Sequence, residues 1–292
     1  MCGTHTGAVK AVEGLIGAGY QFKAFVCLTP KQAIKYNISG YFDYREIADK
    51  YGIPVYIPKA YDLNDQNDVQ FFIDGKFDLI IPGGWQRLFP SKILSTLSIG
   101  SLGLHGSPDL LPKGRGRSPM NWSLIEGKSR FIMHLFLMNP SIDAGDIIEI
   151  QDFDITEFDD IETMYFKYGM VYKQLLLKKL PEILKGSISK IPQKGIPSFY
   201  PKRNAEDGRI DWEELDIWQI YNFVRAQTRP YPGAFAKVEE DLIRIWKCRP
   251  FDTRIRFDDA MYGTVVEKFG GKLIIQCRGG LLLVDDWEKI NE

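Results

Sequence analysis

The sequence predicts an α/β fold with a parallel sheet that has helices on both faces, followed by a small antiparallel β-barrel. Up to about residue 185, short apolar runs alternate with helical patterns, which is typical of a parallel sheet with helices on both faces. Residues 186–203 carry several Pro and Gly residues and are interpreted as a linker. The remaining residues, 204–292, contain short apolar runs joined by Gly and Asp turns, as in a small antiparallel barrel.

In the first region, residues 1–185, apolar residues recur at helical spacing between Ala8 and Ala18. Further helices are predicted over residues 44–51, 68–74 and 91–97. Buried strands are predicted over residues 22–28, 53–57 and 77–82, and the last of them is stopped by Pro82-Gly83-Gly84. The order of these elements is that of an open parallel sheet.

In the last region, a helix is predicted from Trp212 to Thr228, with Asp211 and Glu214 as its start signal. Short strands are predicted after it, over residues 234–238, 242–248, 263–268, 272–276 and 281–284. Their length and spacing favour an antiparallel domain of roughly 90 residues.

Composition and charge exclude several classes of protein. The 292 residues are 45% hydrophobic and 26% charged, which is ordinary for a globular protein and unlike disordered or fibrous chains. Lys and Arg total 37 against 38 Asp and Glu, so no overall positive field attracts nucleic acid or an anionic membrane. The sequence shows no membrane-spanning run and no signal peptide, and its four cysteines form no CxxC pair. We therefore expect a cytoplasmic protein with free thiols.

Residues 101–122 contain the chemically most informative stretch. His105 follows an apolar run and is flanked by Gly and Ser, which favours a functional residue, although a structural role stays open. Asp143 precedes a glycine turn and is either a functional carboxylate or a turn residue. Between Pro112 and Pro119, basic residues alternate with glycines, a pattern that suits a phosphate or carboxylate but also a solvated turn.

The other two histidines are interpreted separately. His134 alternates with apolar neighbours in a predicted strand, so we expect a core or edge residue. For His5, a place near the ligand crevice and a structural role remain equal alternatives. His, Cys and Asp residues do not cluster at metal-ligand spacing, and we predict no metal site.

Several motifs occur together in the order of a known family. The first region contains His105-x-Ser, Leu-Pro, Arg-Gly-x-x-Pro followed by Trp122, and Asp143-x-Gly. The last region contains Pro-Lys-Arg203, Glu-Asp-Gly-x-Ile-Asp-Trp212, Arg-Ala-x-Thr and Pro-Tyr-Pro-Gly-Ala-Phe235. This pattern resembles the folate-dependent, methionyl-tRNA formyltransferase-like family, and within it the enzymes that formylate amino sugars.

The resemblance implies a formyltransferase domain with a Rossmann-like sheet, a C-terminal OB-like domain, and 10-formyltetrahydrofolate as formyl donor. It implies that His105 and Asp143 are catalytic. The residues that match the folate site of the family are Arg87, Leu88, Phe89, Arg117, Asn139, Pro140, Ser141 and Ile142.

The chain departs from the family pattern at three places. Gly103 stands where the family has the Asn of an Asn-x-His motif, so one oxyanion donor is absent. We nominate Asn121 as its substitute, and we expect that Gly103→Asn raises kcat. Pro108-Asp109 is a two-residue insertion, and the opening Cys2-Gly3 resembles the turn after the family's first strand, so that strand is expected to be missing.

Three functional hypotheses remain. The first is formylation of the amine of a nucleotide-linked amino sugar. The second is formylation of methionyl-tRNA, against which the net charge of −1 argues. The third is a non-catalytic relative that binds folate or a sugar nucleotide. We expect small-molecule partners, no nucleic acid and no membrane, with a homodimer among the assemblies left open.

Overall fold

A computed structural model describes residues 1–38 and 40–290 of the chain. The chain divides into two compact units. The first comprises residues 1–116, 132–153 and 165–199, and the second comprises residues 117–131, 154–164 and the chain from Tyr200 onward. Within the described residues, none of the helices has the length and apolar character that a membrane crossing requires.

The N-terminal part of the chain is built on short strands. They are β1 (Cys2–Gly3), β2 (Phe25–Cys27), β3 (Val55–Tyr56), β4 (Leu79–Ile80), β5 (Pro82–Gly83), β6 (Gly100–Ser107), β7 (Arg115–Gly116), β8 (Arg130–Leu137), β9 (Ile147–Asp154) and β10 (Phe199–Tyr200). One sheet has the order β3-β2-β1-β5 and another the order β4-β6-β8-β9, while β7 and β10 pair separately. Because β4 and β5 are separated by a single residue, the same segment of chain joins both larger sheets.

The parallel pairing confirms the Rossmann-like prediction. Strand β1 pairs in parallel with β2 and with β5, and β4 pairs in parallel with β6. The expectation of a missing first strand is corrected here, because Cys2 and Gly3 occupy that central position. The amine of Met1 extends the pairing by donating to the Ala24 carbonyl at 2.9 Å. Strand β6 then pairs antiparallel with β8, which places His105 opposite His134.

Along the sequence, the helices of this part of the chain alternate with its strands. They are α1 (Val9–Gly17), α2 (Pro30–Lys35), α3 (Arg45–Tyr51), α4 (Gln66–Gly75), α5 (Ser91–Leu94), α6 (Pro119–Ile125) and α7 (Ile161–Leu184). The four helices predicted from periodicity are present. Helix α2 was not predicted, although Thr29 and Gln32 form a capping box at its start. Helix α7 was also not predicted, and Pro181 lies inside it.

The second unit contains α8 (Ile217–Arg225) and an antiparallel sheet. Its strands are β11 (Ala234–Val238), β12 (Asp241–Asp252), β13 (Val265–Phe269), β14 (Lys272–Cys277) and β15 (Gly280–Lys289), in the order β11-β12-β15-β14-β13. The five predicted strands are confirmed. Helix α8 begins later than predicted because Asp216, and not Asp211, accepts the N–H groups of Trp218 and Gln219. Its apolar face packs into a core with the strands, around Ile220, Val224 and Ile245.

Candidate active site

His105 lies near the end of β6, and its imidazole is 8% exposed. Its Nε2 lies 2.8 Å from the carbonyl oxygen of Gly114. A carbonyl oxygen can only accept, so Nε2 carries a proton in this arrangement. The other ring nitrogen, Nδ1, faces the carboxylate of Asp143, with 3.5 Å between Nδ1 and Oδ2. The two predicted catalytic residues are therefore brought together.

Asp143 lies in the turn between β8 and β9, with a left-handed backbone at φ 45°. Its Oδ2 accepts the backbone N–H of Gly116 at 2.9 Å. Among the residues that the structure describes, Oδ1 has no hydrogen-bond partner. The side chain of Asp143 is 24% exposed. Asp and Asn tolerate the left-handed region better than other side chains, which explains why this residue type fits the turn.

The glycine-rich loop, residues 113–117, binds both predicted catalytic side chains through its backbone. The Gly114 carbonyl accepts from His105, and the Gly116 N–H donates to Asp143. The N–H groups of Gly114 and Arg115 donate to the Oγ and the carbonyl of Ser198, that of Arg117 donates to the Tyr200 carbonyl, and that of Lys113 donates to the Leu110 carbonyl. The loop N–H groups are thus satisfied within the protein, and the binding of a phosphate or carboxylate by the basic side chains stays a prediction.

The space that a side chain at position 103 would need is filled by the ring of Phe136. Gly103 pairs with Phe136 across β6 and β8. A Cβ at position 103 would lie 2.3 Å from ring carbons of Phe136, whose side chain is 2% exposed. The phenyl ring thus fills the space of a side chain at 103. A side chain at 103 requires the Phe136 ring to shift, which argues against the expectation that Gly103→Asn raises kcat; that expectation stays a prediction.

Asn121 does not replace the missing amide. It lies in α6, is 3% exposed, and donates through Nδ2 to the Ala226 carbonyl at 2.7 Å. Its amide is thereby used to connect α6 to the end of α8.

His134 has the structural role predicted for it. Its Nε2 accepts the N–H of Leu111 at 3.3 Å, and its Nδ1 lies 3.3 Å from the carbonyl oxygen of His105. The side chain is fully buried, and burial lowers its pKa to about 4. A neutral imidazole with its proton on Nδ1 satisfies both contacts. His134 therefore supports the strand that carries His105.

His5 follows β1 and is also neutral. Its Nδ1 accepts the N–H of Gly7 at 2.9 Å, and its ring packs against Tyr165 at 5.3 Å. Burial lowers its pKa to about 4. This helix-capping contact favours the structural alternative for His5.

The predicted folate residues lie in three segments. Arg87 stacks its guanidinium 4.7 Å from the centre of the Tyr61 ring, Leu88 is 54% exposed, and Phe89 is buried in the core against Trp85. Arg117 begins the first segment of the second unit, and its N–H donates to the Tyr200 carbonyl. A third segment is the exposed turn of Asn139, Pro140, Ser141 and Ile142 before Asp143. Their roles in folate binding stay predictions.

Three residues near Asp143 were missed by the sequence analysis. Gln193 and Ser198 lie in the predicted linker and bind the catalytic turn and the glycine-rich loop. Tyr168 lies on α7, where burial and the charge of Asp143 raise the pKa of its phenol. The Tyr168 hydroxyl has no hydrogen-bond partner among the described residues. Nothing in their local sequence distinguishes these residues from ordinary surface or helix positions.

Across residues 1–38 and 40–290, His, Cys, Asp and Glu side chains form no group of three or more that could hold a metal ion. The four cysteines are buried, with no disulfide in the described part of the chain.

The sequence matches two family models. The model "Formyl transferase" matches residues 48–180, and the model "Formyl transferase, C-terminal domain" matches residues 202–291. The chain is 31% identical over 285 residues to a methionyl-tRNA formyltransferase of Enterococcus faecalis, covering 97% of this chain and 88% of that protein. It is 35% identical over 230 residues to the bifunctional polymyxin resistance protein ArnA of Wigglesworthia glossinidia brevipalpis. That match covers 78% of this chain but only 34% of ArnA.

The fold also matches solved structures. An N-formyltransferase from Helicobacter canadensis, solved in complex with folinic acid and dTDP-3-aminofucose, superposes with a TM-score of 0.70. The alignment covers 99% of this chain and 98% of that chain at 17% identity, so it establishes a shared fold.

Proposed function

This chain belongs to the formyl transferase family, and on that premise we propose that it transfers a formyl group from 10-formyltetrahydrofolate to the amine of a nucleotide-linked amino sugar. Membership shows that it is a formyltransferase, and the folate donor is part of the proposal. The single observation that carries the chemistry is the pairing of His105 with Asp143, whose Oδ1 has no hydrogen-bond partner among the described residues.

The reaction is acyl transfer to nitrogen. A neutral amine attacks the formyl carbon, a C–N bond forms, and the formyl oxygen becomes an oxyanion. Asp143 Oδ1 accepts the proton that the amine loses. A proton on His105 Nδ1, held by Asp143, serves first as a donor to the oxyanion and then passes to the leaving nitrogen of the folate when the old C–N bond breaks.

The oxyanion needs further donors because Gly103 supplies none. The phenol of Tyr168 is our candidate for one of them. Burial and the charge of Asp143 raise the pKa of this phenol, so its hydroxyl stays protonated at neutral pH. The hydroxyl is not committed to any described residue.

Two considerations support a sugar-nucleotide acceptor. A net charge of −1 supplies no excess positive field for a large polyanion. The fold is shared over nearly its whole length with an enzyme solved with dTDP-3-aminofucose. The competing acceptor is methionyl-tRNA, favoured by the 31% identity to the Enterococcus faecalis enzyme over 97% of the chain.

The deciding experiment presents the protein with 10-formyltetrahydrofolate and a panel of amines. The panel contains dTDP- and UDP-linked amino sugars, the corresponding free amino sugars, and methionyl-tRNA. Tetrahydrofolate release is followed by absorbance, and the formylated product is identified by mass spectrometry. We expect turnover with a sugar nucleotide only. Formylation of methionyl-tRNA would replace this proposal, and folate binding without turnover of any amine would favour a non-catalytic relative.

A further inference from the structure

Gln193 lies in the exposed segment that joins α7 to β10, yet its side-chain amide is fully used. Nε2 donates to the Asp143 carbonyl at 3.0 Å and to the Gly145 carbonyl at 2.9 Å. Oε1 accepts from Nη2 of Arg115 at 2.5 Å. The amide therefore binds the catalytic turn on one side and the glycine-rich loop on the other.

The catalytic turn needs such support. Asp143 has φ 45°, a left-handed conformation that L-residues other than Asn and Asp rarely adopt. Gly145 has φ 136°, and a Cβ there would lie 1.8 Å from the Leu137 carbonyl oxygen. The Asp143 and Gly145 carbonyls accept the two hydrogens of the Gln193 amide group, and these two bonds stabilise the turn.

The second partner of Gln193 links the same amide to His105. Arg115 lies between Gly114, whose carbonyl accepts from His105, and Gly116, whose N–H donates to Asp143. An error of about 1 Å at a catalytic group is worth up to roughly 100-fold in rate. The distance between His105 Nδ1 and Asp143 Oδ2 depends on both loops, and Gln193 is bound to both.

We propose that Gln193 is a positioning residue for formyl transfer, acting through Asp143. This inference rests on the proposed function. Gln193 touches neither reacting atom in this arrangement, and its role is to hold the catalytic turn and the glycine-rich loop at the spacing that the His105–Asp143 pair needs.

Only an amide at this length provides two donors and one acceptor together. Gln193→Glu keeps an acceptor for Arg115 but presents a carboxylate to two carbonyl oxygens. Gln193→Met keeps the length and loses all three bonds. Gln151→Met is the matched control, because Gln151 hydrogen-bonds an exposed glutamine, Gln174, at 2.6 Å.

The test measures kcat and both KM values for the two Gln193 variants, alone and combined with Asp143→Asn. We expect kcat to fall about 10- to 100-fold, with each KM within about threefold. In the Asp143→Asn background, Gln193→Met should change the residual kcat less than about threefold, since the group it positions is already disabled. Gln151→Met should leave kcat unchanged.

A second measurement does not need activity. Amide hydrogen exchange at Gly116 reports whether the carboxylate of Asp143 still accepts its N–H, so we expect at least tenfold faster exchange in Gln193→Met. If the Met variant does not fold, Gln193→Glu carries both measurements. Equal losses of kcat in the two backgrounds, or unchanged exchange at Gly116, would overturn the inference. Unchanged exchange refutes the positioning role, whereas wild-type protein that formylates no amine refutes the proposed function.

Discussion

At the scale of single residues, the proposed reaction depends on an unequal division of hydrogen bonds around Asp143. One carboxylate oxygen accepts the Gly116 N–H, and the other has no hydrogen-bond partner among the described residues, which in the proposed reaction leaves it for the amine. His105 is similarly divided, with Nε2 held by the Gly114 carbonyl and Nδ1 facing Asp143. The backbone of the glycine-rich loop thus binds Nε2 of His105 and Oδ2 of Asp143. The proposed reaction uses the other polar atom of each side chain, Nδ1 and Oδ1.

This division makes Asp143→Asn an informative substitution. The amide oxygen of Asn can still accept the Gly116 N–H, so the turn should keep its shape. The variant loses the negative charge that takes a proton and holds the imidazolium, and we expect kcat to fall about 10²- to 10⁴-fold. Steady-state kinetics checks this result. Asp146→Asn, in the same glycine turn, is the control and should retain near-wild-type kcat; equal activity of both variants would remove Asp143 from the mechanism.

Gly103 gives a prediction of stability instead of activity. A methyl group at 103 would lie 2.3 Å from the Phe136 ring, so we expect Gly103→Ala to lower the free energy of unfolding by about 1–3 kcal/mol. Thermal denaturation measures the change. Combining Gly103→Ala with Phe136→Leu, which shortens the ring, should recover part of the loss. A stable Gly103→Ala single variant would show that Phe136 has space to move.

At the scale of elements, the sequence predicted what depends on local pattern and missed what depends on distant contacts. The parallel strands, the C-terminal strands and the positions of His105 and Asp143 follow from apolar runs and motifs. The sequence pattern fails to predict the contacts of the linker at 186–203. Gln193 in this linker hydrogen-bonds three residues that lie 48, 50 and 78 positions away from it in the sequence. Its Pro and Gly content indicates a loop but not what the loop binds. The domain division at this segment stays a prediction.

The connection between β3 and α4 is another contact that the composition does not reveal. Asp68 is fully buried in α4, and its carboxylate accepts from the Tyr56 hydroxyl and the N–H groups of Lys59 and Ala60. The Asp68 side chain therefore fixes the loop after β3, although an Asp side chain is rarely fully buried in a protein.

Removing this carboxylate should destabilise the first unit. Asp68→Ala leaves three partly buried hydrogen bonds without their acceptor, and we expect a loss of about 1–3 kcal/mol in the free energy of unfolding. Urea denaturation measures it. Asp74→Ala, at the exposed end of the same helix, is the control and should change stability by less than about 0.5 kcal/mol. A loss no larger than that of the control would mean that the loop finds other acceptors, including water.

At the scale of the whole molecule, two neutral histidines, the fully buried His134 and the partly buried His5, make stability depend on pH. Burial lowers the pKa of His5 and of His134 to about 4, while an unfolded His titrates near 6.5. As pH falls below 6.5, the unfolded chain binds protons that the folded chain does not, so acid favours unfolding. This stability is fully present above pH 6.5 and declines towards pH 4.

We therefore expect the free energy of unfolding to fall by about 2 kcal/mol between pH 7 and pH 5.5, a range above the titration of most carboxylates. Urea denaturation at the two pH values checks the difference. His5→Gln, which keeps an acceptor for the Gly7 N–H, should remove about half of it. A free energy that stays constant or rises over this range would contradict the neutral assignment of both histidines.

The charge balance of the whole molecule separates the two acceptors through salt. A protein that contacts six to ten phosphates of a nucleic acid loses roughly 10³- to 10⁵-fold in affinity between 50 and 200 mM salt, because bound counterions are released. With 37 basic and 38 acidic residues, this chain has no surplus of positive charge to sustain that many contacts. We expect kcat/KM for a nucleotide-linked amino sugar to change less than about tenfold over this range, and bulk tRNA not to be retained in a filter-binding assay. The methionyl-tRNA formyltransferase of Enterococcus faecalis serves as the positive control. Tight tRNA binding by this chain that weakens steeply with salt would mean that its basic residues are concentrated on one surface, and methionyl-tRNA would then become the favoured acceptor.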